Sequence, residues 1–255
     1  MLFHIEIVKN IYLISDSENG PTENGQSMAP GNPTGNSYLI IGEKSAVLFD
    51  LAVNLPGIHE YVKTLTDKPV KLVLSHGHYD HCYHLEKFQD VWMHPNDEFL
   101  LRQGMLGMPP VDPCPTVHYL NNGDVIELGN HLLEVIHIPG HTPGSILLLD
   151  KKYRILFSGD TCARRLLYGL HGVIPFKDFC QDLKHLQEKE FDVFYSAHDR
   201  CAIPKSYLNY MINEIETEVP ESSSDLELPQ IGTLHYFTKG DPYTFDYFDI
   251  AYVKE

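Results

Sequence analysis

The chain has 255 residues, of which 43% are hydrophobic, enough to bury the core of one large domain or two small ones. Its 19 basic and 35 acidic residues give a formal net charge of -16, which argues against nucleic acid as an electrostatic partner. Residues 1–15 do not resemble a signal peptide, and no apolar run approaches the ~20 residues that span a bilayer, so we expect no membrane association.

The first part of the chain predicts strands on both sides of a long loop. Residues 3–14 alternate between apolar and polar types well enough for one or two strands. Residues 16–36 are rich in Gly, Pro, Asn and Ser, which indicates a loop, and loops of this length are often functional. Next come a predicted strand pair at 37–41 and 46–49, a short helix at 58–66 and a strand at 70–74.

A histidine-rich stretch, His-Gly-His-Tyr-Asp-His at residues 76–81, follows this last strand directly. Residues two apart on an extended backbone point the same way, so His76 and His78 can bind one ion. Asp80 and His81 follow where the chain turns, and they point elsewhere. Two imidazoles plus a carboxylate–imidazole pair exceed what one tetrahedral site needs. The stretch therefore predicts two metals.

Strands and helices alternate beyond this stretch. The predicted helices lie at 84–89, 96–103, 176–188 and 205–218, and the predicted strands at 91–93, 117–120, 125–128, 132–138, 145–149, 154–157 and 193–196. This order suits sheets packed face to face with helices outside, which predicts an α/β layered domain.

Three later segments repeat one arrangement, in which an apolar strand is followed by a small residue and then a metal-ligand type. They place His141 in Pro-Gly-His-Thr-Pro-Gly-Ser, Asp160 in Ser-Gly-Asp-Thr and His198 in Ser-Ala-His-Asp. Together with the first stretch they provide histidines and aspartates for two ions that share one carboxylate. A carboxylate bridges two ions more easily than an imidazole does, so Asp160 is the best candidate for the bridge.

These four motifs resemble those of the metallo-β-lactamase superfamily, and they come in the same order over roughly residues 1–215. Within the superfamily, the chain is most similar to the glyoxalase II-like branch. The resemblance implies a four-layered αββα sandwich, with the active site at one edge between the two sheets.

The resemblance also implies a set of ligands. One metal would be held by His76, His78 and His141, and the other by Asp80, His81 and His198. Asp160 would bridge the two ions. Asp50, at the end of the strand at 46–49, matches a family aspartate that supports the histidine loop. Two divalent ions are expected, zinc first, although this donor set also suits iron and manganese.

Such a site implies a hydrolase. Two divalent ions about 3.5–4 Å apart can share a water, lower its pKa towards ~7 and so supply a bridging hydroxide at neutral pH. Asp80 would accept a hydrogen bond from this hydroxide and aim it. The expected reaction is the hydrolysis of an ester, thioester, lactone or related small substrate.

Other branches of the superfamily provide alternatives. Metallo-β-lactamases proper lack a bridging aspartate at the position of Asp160, and the nucleases carry substrate-binding arms that this acidic chain does not show. For these reasons, phosphodiesterase and β-lactamase activities are only alternatives to the main prediction. Persulfide dioxygenases bind one iron through the positions that match His76, His141 and Asp160, so a mononuclear iron oxidoreductase is another alternative.

The segment after Asp160 is expected to form a loop that faces the cleft. Arg164, Tyr168 and His171 in this loop are the candidate contacts for a small-molecule substrate.

The C-terminal part differs in composition from the rest. Residues 220–229 are acidic and Ser-rich, which indicates a linker, and residues 233–253 predict a β-hairpin with many aromatic side chains. We expect a metallo-β-lactamase-fold domain at 1–219, with the acidic linker and aromatic hairpin at 220–255 packed on the same domain. The aromatic segment also allows a homodimer edge. The five cysteines form no CxxC pair, which favours a reducing, cytoplasmic setting.

Overall fold

Two large sheets stack face to face at the centre of the fold. The computed structural model describes residues 1–16, 35–105, 107–172, 174–199, 201–228, 231–242 and 244–253. Most of the predicted loop at 16–36 therefore lies outside the described residues. The first sheet has seven strands in chain order: β1 (Leu2–Val8), β2 (Ile11–Asp16), β3 (Ser37–Ile41), β4 (Ala46–Phe49), β5 (Val70–Val73), β6 (Asp90–Met93) and β7 (Thr116–Tyr119).

The second sheet has six strands, in the order β14-β13-β11-β10-β9-β8. These strands are β8 (Val125–Glu127), β9 (Leu132–His137), β10 (Ile146–Asp150), β11 (Ile155–Gly159), β13 (Val193–Ser196) and β14 (Ile203–Pro204). The pair β11–β13 is parallel, and the other pairs of this sheet are antiparallel.

Strand β3 shows how the sequence builds the layers. Its five residues are all buried, and successive side chains point to opposite faces. Tyr38 and Ile40 pack between the two sheets, in one apolar cluster with Phe157 of β11. Leu39 lies on the other face, in a cluster with Ile58 of the first helix. Both faces of the first sheet are therefore covered.

Helices cover the outer faces of both sheets. Against the first sheet lie α1 (Ile58–Leu65) and α2 (Glu98–Gln103), and against the second lie α3 (Phe176–Gln187) and α4 (Tyr207–Asn213). Helix α3 buries Phe179, Cys180, Leu183 and Leu186, a spacing that places them on one face. The predicted αββα sandwich is confirmed.

A third, four-stranded sheet, in the order β12-β17-β16-β15, differs from the sequence-based prediction. Its strands are β12 (Arg165–Tyr168), β15 (Ser224–Leu228), β16 (Gly232–Lys239) and β17 (Phe248–Tyr252). Residues 165–168 form a strand parallel to β17, where we predicted a loop. Residues 219–222 form the short helix α5 (Val219–Ser222), and α5 and β15 together replace most of the predicted linker. The division of the chain at residues 219 and 220 stays a prediction.

None of the helices in the described part of the chain is long and apolar enough to cross a membrane.

Candidate metal centre

The predicted ligands meet at one edge of the sandwich. His76 follows β5, Asp160 follows β11 and His198 follows β13, while His141 lies in the turn between β9 and β10. Side chains at strand ends are held by a rigid scaffold, which makes them suited to precise binding sites. The fold therefore brings residues that are up to 122 positions apart along the sequence, His76 and His198, to one place.

A first ligand group consists of His76, His78 and His141. Their potential ligand atoms all lie within 4.8 Å of one another, and all three side chains are buried. The Nε2 atoms of His76 and His141 are 3.0 Å apart. His141 donates its Nδ1 proton to the carbonyl oxygen of Leu167 at 2.5 Å, so in the neutral ring its Nε2 presents a lone pair.

A second ligand group consists of Asp80, His81 and His198, again with ligand atoms within 4.8 Å of one another. The His198 Nε2 atom lies 3.5 Å from Asp80 Oδ2. The Asp80 side chain is 46% exposed, against 20% for His198, so the site opens to solvent on the side of Asp80.

Asp160 lies between the two groups. Its Oδ1 atom is 3.4 Å from Nε2 of His81, and its Oδ2 atom is 3.5 Å from Nε2 of His141 and 3.2 Å from Nε2 of His198. The Oδ2 atom therefore faces one nitrogen of each group, and the Oδ1 atom faces a further nitrogen of the second group. Asp160 thus lies close to both groups, and its bridging role stays a prediction.

The donor atoms fit divalent metal ions. On the outer side of the rings, His81 Nδ1 is 3.0 Å from an Asp50 oxygen and His76 Nδ1 is 2.8 Å from the Ser75 hydroxyl. On the inner side, Nε2 of His78, Nε2 of His81 and Oδ1 of Asp160 are buried and have no hydrogen-bond partner among the described residues. Buried polar atoms are rarely left without a partner. Imidazole rings fixed by an outer hydrogen bond, with the inner nitrogen unused, are typical of metal sites.

The two ligand groups differ in the pKa values of their histidines. Burial lowers the pKa of His76 and of His78 well below the ordinary value, and the neighbouring histidines add to this effect, so both rings stay neutral. Burial also opposes a charge on His81, but the carboxylates of Asp160, Asp50 and Asp80 outweigh it and raise its pKa to about 10.

The carboxylates stay ionised in the same environment. Burial opposes the charge of Asp160, yet His198 and His81 hold its pKa well below the ordinary value. The rings of His76 and His78 are therefore neutral, whereas an ion entering the second group would displace a proton from His81.

Asp50 lies beneath the histidine loop, where the sequence predicted it. Its Oδ1 accepts a hydrogen bond from the Ser75 backbone N–H at 2.6 Å, and its Oδ2 lies 3.0 Å from His81 Nδ1. Asp50 is 1% exposed, so these contacts are shielded from water. It therefore fixes both the start of the loop and the orientation of one ligand ring.

Two of the three candidate substrate contacts do not face the cleft. Arg164 is buried, its Nε lies 2.9 Å from Asp199 Oδ1, and its guanidinium also donates to the backbone oxygens of Pro242 and Thr244. Tyr168 is buried as well, and its hydroxyl donates to the carbonyl oxygen of Ile174 at 2.6 Å. The prediction failed because residues 165–168 form strand β12, which packs Tyr168 into the core, and because Arg164, just before this strand, pairs with Asp199.

His171 remains beside the metal centre. Its ring centroid lies 5.1 Å from that of His78 and 6.0 Å from that of Phe99. Phe99 is 37% exposed, so a large apolar side chain lies beside His171 and faces solvent. Tyr79, next to His78 in the sequence, is 39% exposed, and its ring packs against that of Tyr83. These aromatic positions were not predicted, because nothing in the local sequence distinguishes an exposed aromatic residue from a buried one.

Sequence reasoning also missed Asp97, which was interpreted only as part of a helix. It ends a 3-10 turn, Pro95–Asp97, before α2, and its carboxylate is buried against the loops that carry His76 and His141. One signal was available, since Asp97 follows the end of strand β6 as the other site residues follow their strands.

Comparison with known proteins identifies the family. The sequence profile of the metallo-β-lactamase superfamily matches residues 30–174, more than half of the chain. The chain is 30% identical over 156 residues to the acyl-coenzyme A thioesterase MBLAC2 of Gallus gallus. That match covers 49% of this chain and 56% of the relative, so the chain spans little more than half of the relative's length.

Solved structures agree with this match. The structure of a metallo-β-lactamase from Pontibacter korlensis superposes with a TM-score of 0.66 at 19% identity, over 85% of this chain and all of that chain (100%). The structure of TTHA1623 in a di-iron-bound form has a TM-score of 0.54 at 26% identity, over 68% of this chain and 90% of that chain. The profile, the αββα fold and the four ligand motifs agree, and the chain belongs to the metallo-β-lactamase superfamily.

Proposed function

We propose that this protein is a dinuclear metal-dependent hydrolase that cleaves acyl esters, with acyl thioesters as its main substrate class. The observation that carries the proposal is the position of Asp160, whose two oxygens face nitrogens of both ligand groups at 3.2 to 3.5 Å. A single ion held by His76, His141 and Asp160 would leave the clustered side chains of Asp80, His81 and His198 without a role. Two divalent ions held by these groups would supply Lewis acidity towards a carbonyl oxygen and towards an attacking water.

Zinc is the proposed metal. The two groups are rich in imidazole and have no thiolate, and imidazole with carboxylate is a common zinc donor set. The same donors also suit iron, and the related TTHA1623 structure is described as a di-iron-bound form. Elemental analysis of the purified protein decides between the two metals.

Asp80 is the proposed proton acceptor. It is the most exposed of the acidic ligands, at 46% against 12% for Asp160, so it lies where a water and a substrate enter. Burial opposes its charge, but His81 and His198 keep its pKa below the ordinary value, so the carboxylate is ionised at neutral pH. Asp80 can therefore accept a hydrogen bond from the attacking water and orient it towards the carbonyl carbon.

The acyl part of the substrate is proposed to lie along Phe99, which packs against His171, and along Tyr79, which follows the predicted ligand His78 in the sequence. Both side chains are partly exposed, so an apolar acyl chain would bury surface that now faces water. His171, between Phe99 and the His78 ring, would contact the acyl chain where it approaches the metal centre. The thioester preference rests on the likeness to the acyl-coenzyme A thioesterase.

The experiment is a substrate panel on zinc-loaded protein. Acyl thioesters with and without coenzyme A, a lactone, a phosphodiester and a β-lactam are compared by kcat/KM, and thioesters are expected to rank first. Asp80→Asn should lower kcat by about 10²- to 10⁴-fold with the fold intact, because the proton acceptor is lost. Asp67→Asn, at an exposed position, is the matched control.

Two results would contradict the proposal. One is the absence of acyl hydrolysis by zinc-loaded protein at any tested chain length. The other is oxygen uptake with a persulfide by protein that holds one iron per chain, which would establish the mononuclear oxidoreductase instead.

A further inference from the structure

Asp97 is a buried carboxylate that the proposed reaction does not use. It is fully buried, with an exposed fraction of 0%, at the junction between β6 and α2. Burying an ionised carboxylate is costly unless hydrogen bonds compensate it. The hydrogen-bond partners of Asp97 therefore indicate its role.

Three neutral donors surround the Asp97 carboxylate. The Gly77 backbone N–H donates to Oδ2 at 3.1 Å, and the Thr142 hydroxyl donates to the same oxygen at 2.6 Å. The Gly144 backbone N–H donates to Oδ1 at 2.6 Å. Gly77 lies between His76 and His78, and Thr142 follows His141. One carboxylate thus connects the two loops that carry the whole first ligand group.

Gly77 and Gly144 are glycines because their loops come very close to Asp97. A Cβ atom on Gly144 would lie 2.6 Å from the Asp97 Cγ atom, closer than real side chains come. A Cβ atom on Gly77 would lie 2.8 Å from the Asp97 carbonyl oxygen and 2.9 Å from the Leu100 Cβ atom. Both loops therefore need glycine in order to approach Asp97 closely enough for their N–H groups to reach it.

The second ligand group has its own buried carboxylate. Asp50 accepts from the Ser75 N–H and contacts the His81 ring, as described above. The contacts of Asp97 instead concern residues next to His76, His78 and His141. The contacts of Asp97 thus concern the first group alone, whereas Asp50 contacts a ring of the second group and the residue that precedes His76.

We propose that Asp97 is the positioning residue of the first metal site: it locks the loops around Gly77 and Gly144 together, so that the three histidines stand at binding distance before an ion arrives. The inference rests on the proposed metal-dependent function for the identity of the ligand. Preorganisation of this kind raises metal affinity, and the loss of such supporting contacts typically costs 10- to 100-fold.

The test is zinc binding to protein stripped of metal, measured by competition with a chromophoric chelator. Two backgrounds isolate the sites: His198→Ala weakens the second group and His141→Ala weakens the first. Asp97→Asn should weaken zinc binding about 10- to 100-fold in the His198→Ala background, and less than about 3-fold in the His141→Ala background. Asp50→Asn, by contrast, should weaken zinc binding in the His141→Ala background as well, because it removes the contact with the His81 ring. Equal losses in both backgrounds, or no loss in either, would overturn the proposal.

A second measurement does not depend on zinc. In metal-free protein, Asp97→Asn should speed the hydrogen exchange of the Gly77 amide or of the Gly144 amide by at least about 10-fold, because the Asn side chain keeps one acceptor oxygen and faces the other N–H with a donor. Unchanged exchange at both glycines overturns the positioning role. If wild-type protein binds no zinc, the proposed function fails, and the exchange data alone decide the role of Asp97.

If Asp97→Asn does not fold, Thr142→Ala replaces it. This variant removes one donor and leaves the carboxylate in place, and it should weaken zinc binding in the His198→Ala background by about 3- to 10-fold. Wild-type affinity in this variant would contradict the role of the Thr142 contact and overturn the proposed lock between the loops.

Discussion

The Arg164→Ala substitution should destabilise the fold and leave substrate affinity unchanged. The side chain is 3% exposed and its partner Asp199 is 1% exposed, so the variant leaves a carboxylate buried without its cation. Breaking a buried ion pair in this way costs about 3–5 kcal/mol. We expect about 3 kcal/mol, since Asp199 keeps hydrogen bonds from the Ser196 hydroxyl and from the backbone N–H of residue 164. For a chain of this size, that corresponds to a fall in Tm of roughly 6–12 °C.

The assay is thermal unfolding of the zinc-loaded protein, followed by steady-state kinetics well below the lowered Tm. Arg165→Ala is the matched control. The Arg165 side chain is next to Arg164 in the sequence but is 27% exposed, and its Nε atom lies 3.9 Å from Asp249 Oδ2. A partly exposed pair of this kind contributes less than about 1 kcal/mol. A wild-type Tm in Arg164→Ala together with a tenfold rise in KM would refute the structural role and restore Arg164 as a substrate contact.

Three further predictions concern pH, metal removal and the cleft. Burial and the neighbouring His137 lower the pKa of His94 to about 4 from its ordinary 6.5, so the folded ring stays neutral while the unfolded ring binds a proton. Stability contributed by His94 is therefore present above pH 6.5 and lost as pH falls towards 4. Solvent screening reduces this loss to about 1–2 kcal/mol, and urea unfolding of His94→Asn should show a flatter pH dependence than wild type. Removing bound zinc with a chelator should lower Tm, and added zinc should restore it. At a free zinc concentration a thousandfold above Kd, binding stabilises the folded state by about 4 kcal/mol. An unchanged Tm would contradict a filled site. His171→Ala should raise KM for an acyl thioester about tenfold with a smaller change in kcat, whereas equal effects on a substrate without an acyl chain would exclude a contact with the acyl part.

The clustering of the candidate ligands could be predicted because their signals are local. His76, His141, Asp160 and His198 each follow an apolar segment and a small residue, and strands end where such segments meet polar residues. The layers were also predictable, since β3 and its neighbours are apolar on both faces, as expected of a sheet covered on both sides. Both signals depend on residues only a few positions apart.

The parts that were missed depend on distant contacts. Arg164 pairs with Asp199, 35 positions away, and Asp97 meets Gly144, 47 positions away. No periodicity links such residues, so the first was predicted in the cleft and the second was not predicted at all.

The composition of residues 224–228 did not predict the strand that they form. Its serine and acidic residues indicate a linker, although Leu226 and Leu228 alternate as in a strand. Its pairing with β16 decides the outcome, with Leu226 opposite Leu234, and a composition argument does not contain that information.

The central claim is a pair of ions that share Asp160, and metal stoichiometry tests it most directly. Elemental analysis of protein purified without chelator and dialysed against zinc should give two ions per chain, and Asp160→Asn should give fewer at the same free zinc concentration. The Asp67→Asn control should match wild type. A wild-type ratio of one that does not rise with excess zinc, or a ratio of two that Asp160→Asn leaves unchanged over the full titration, would contradict the shared site.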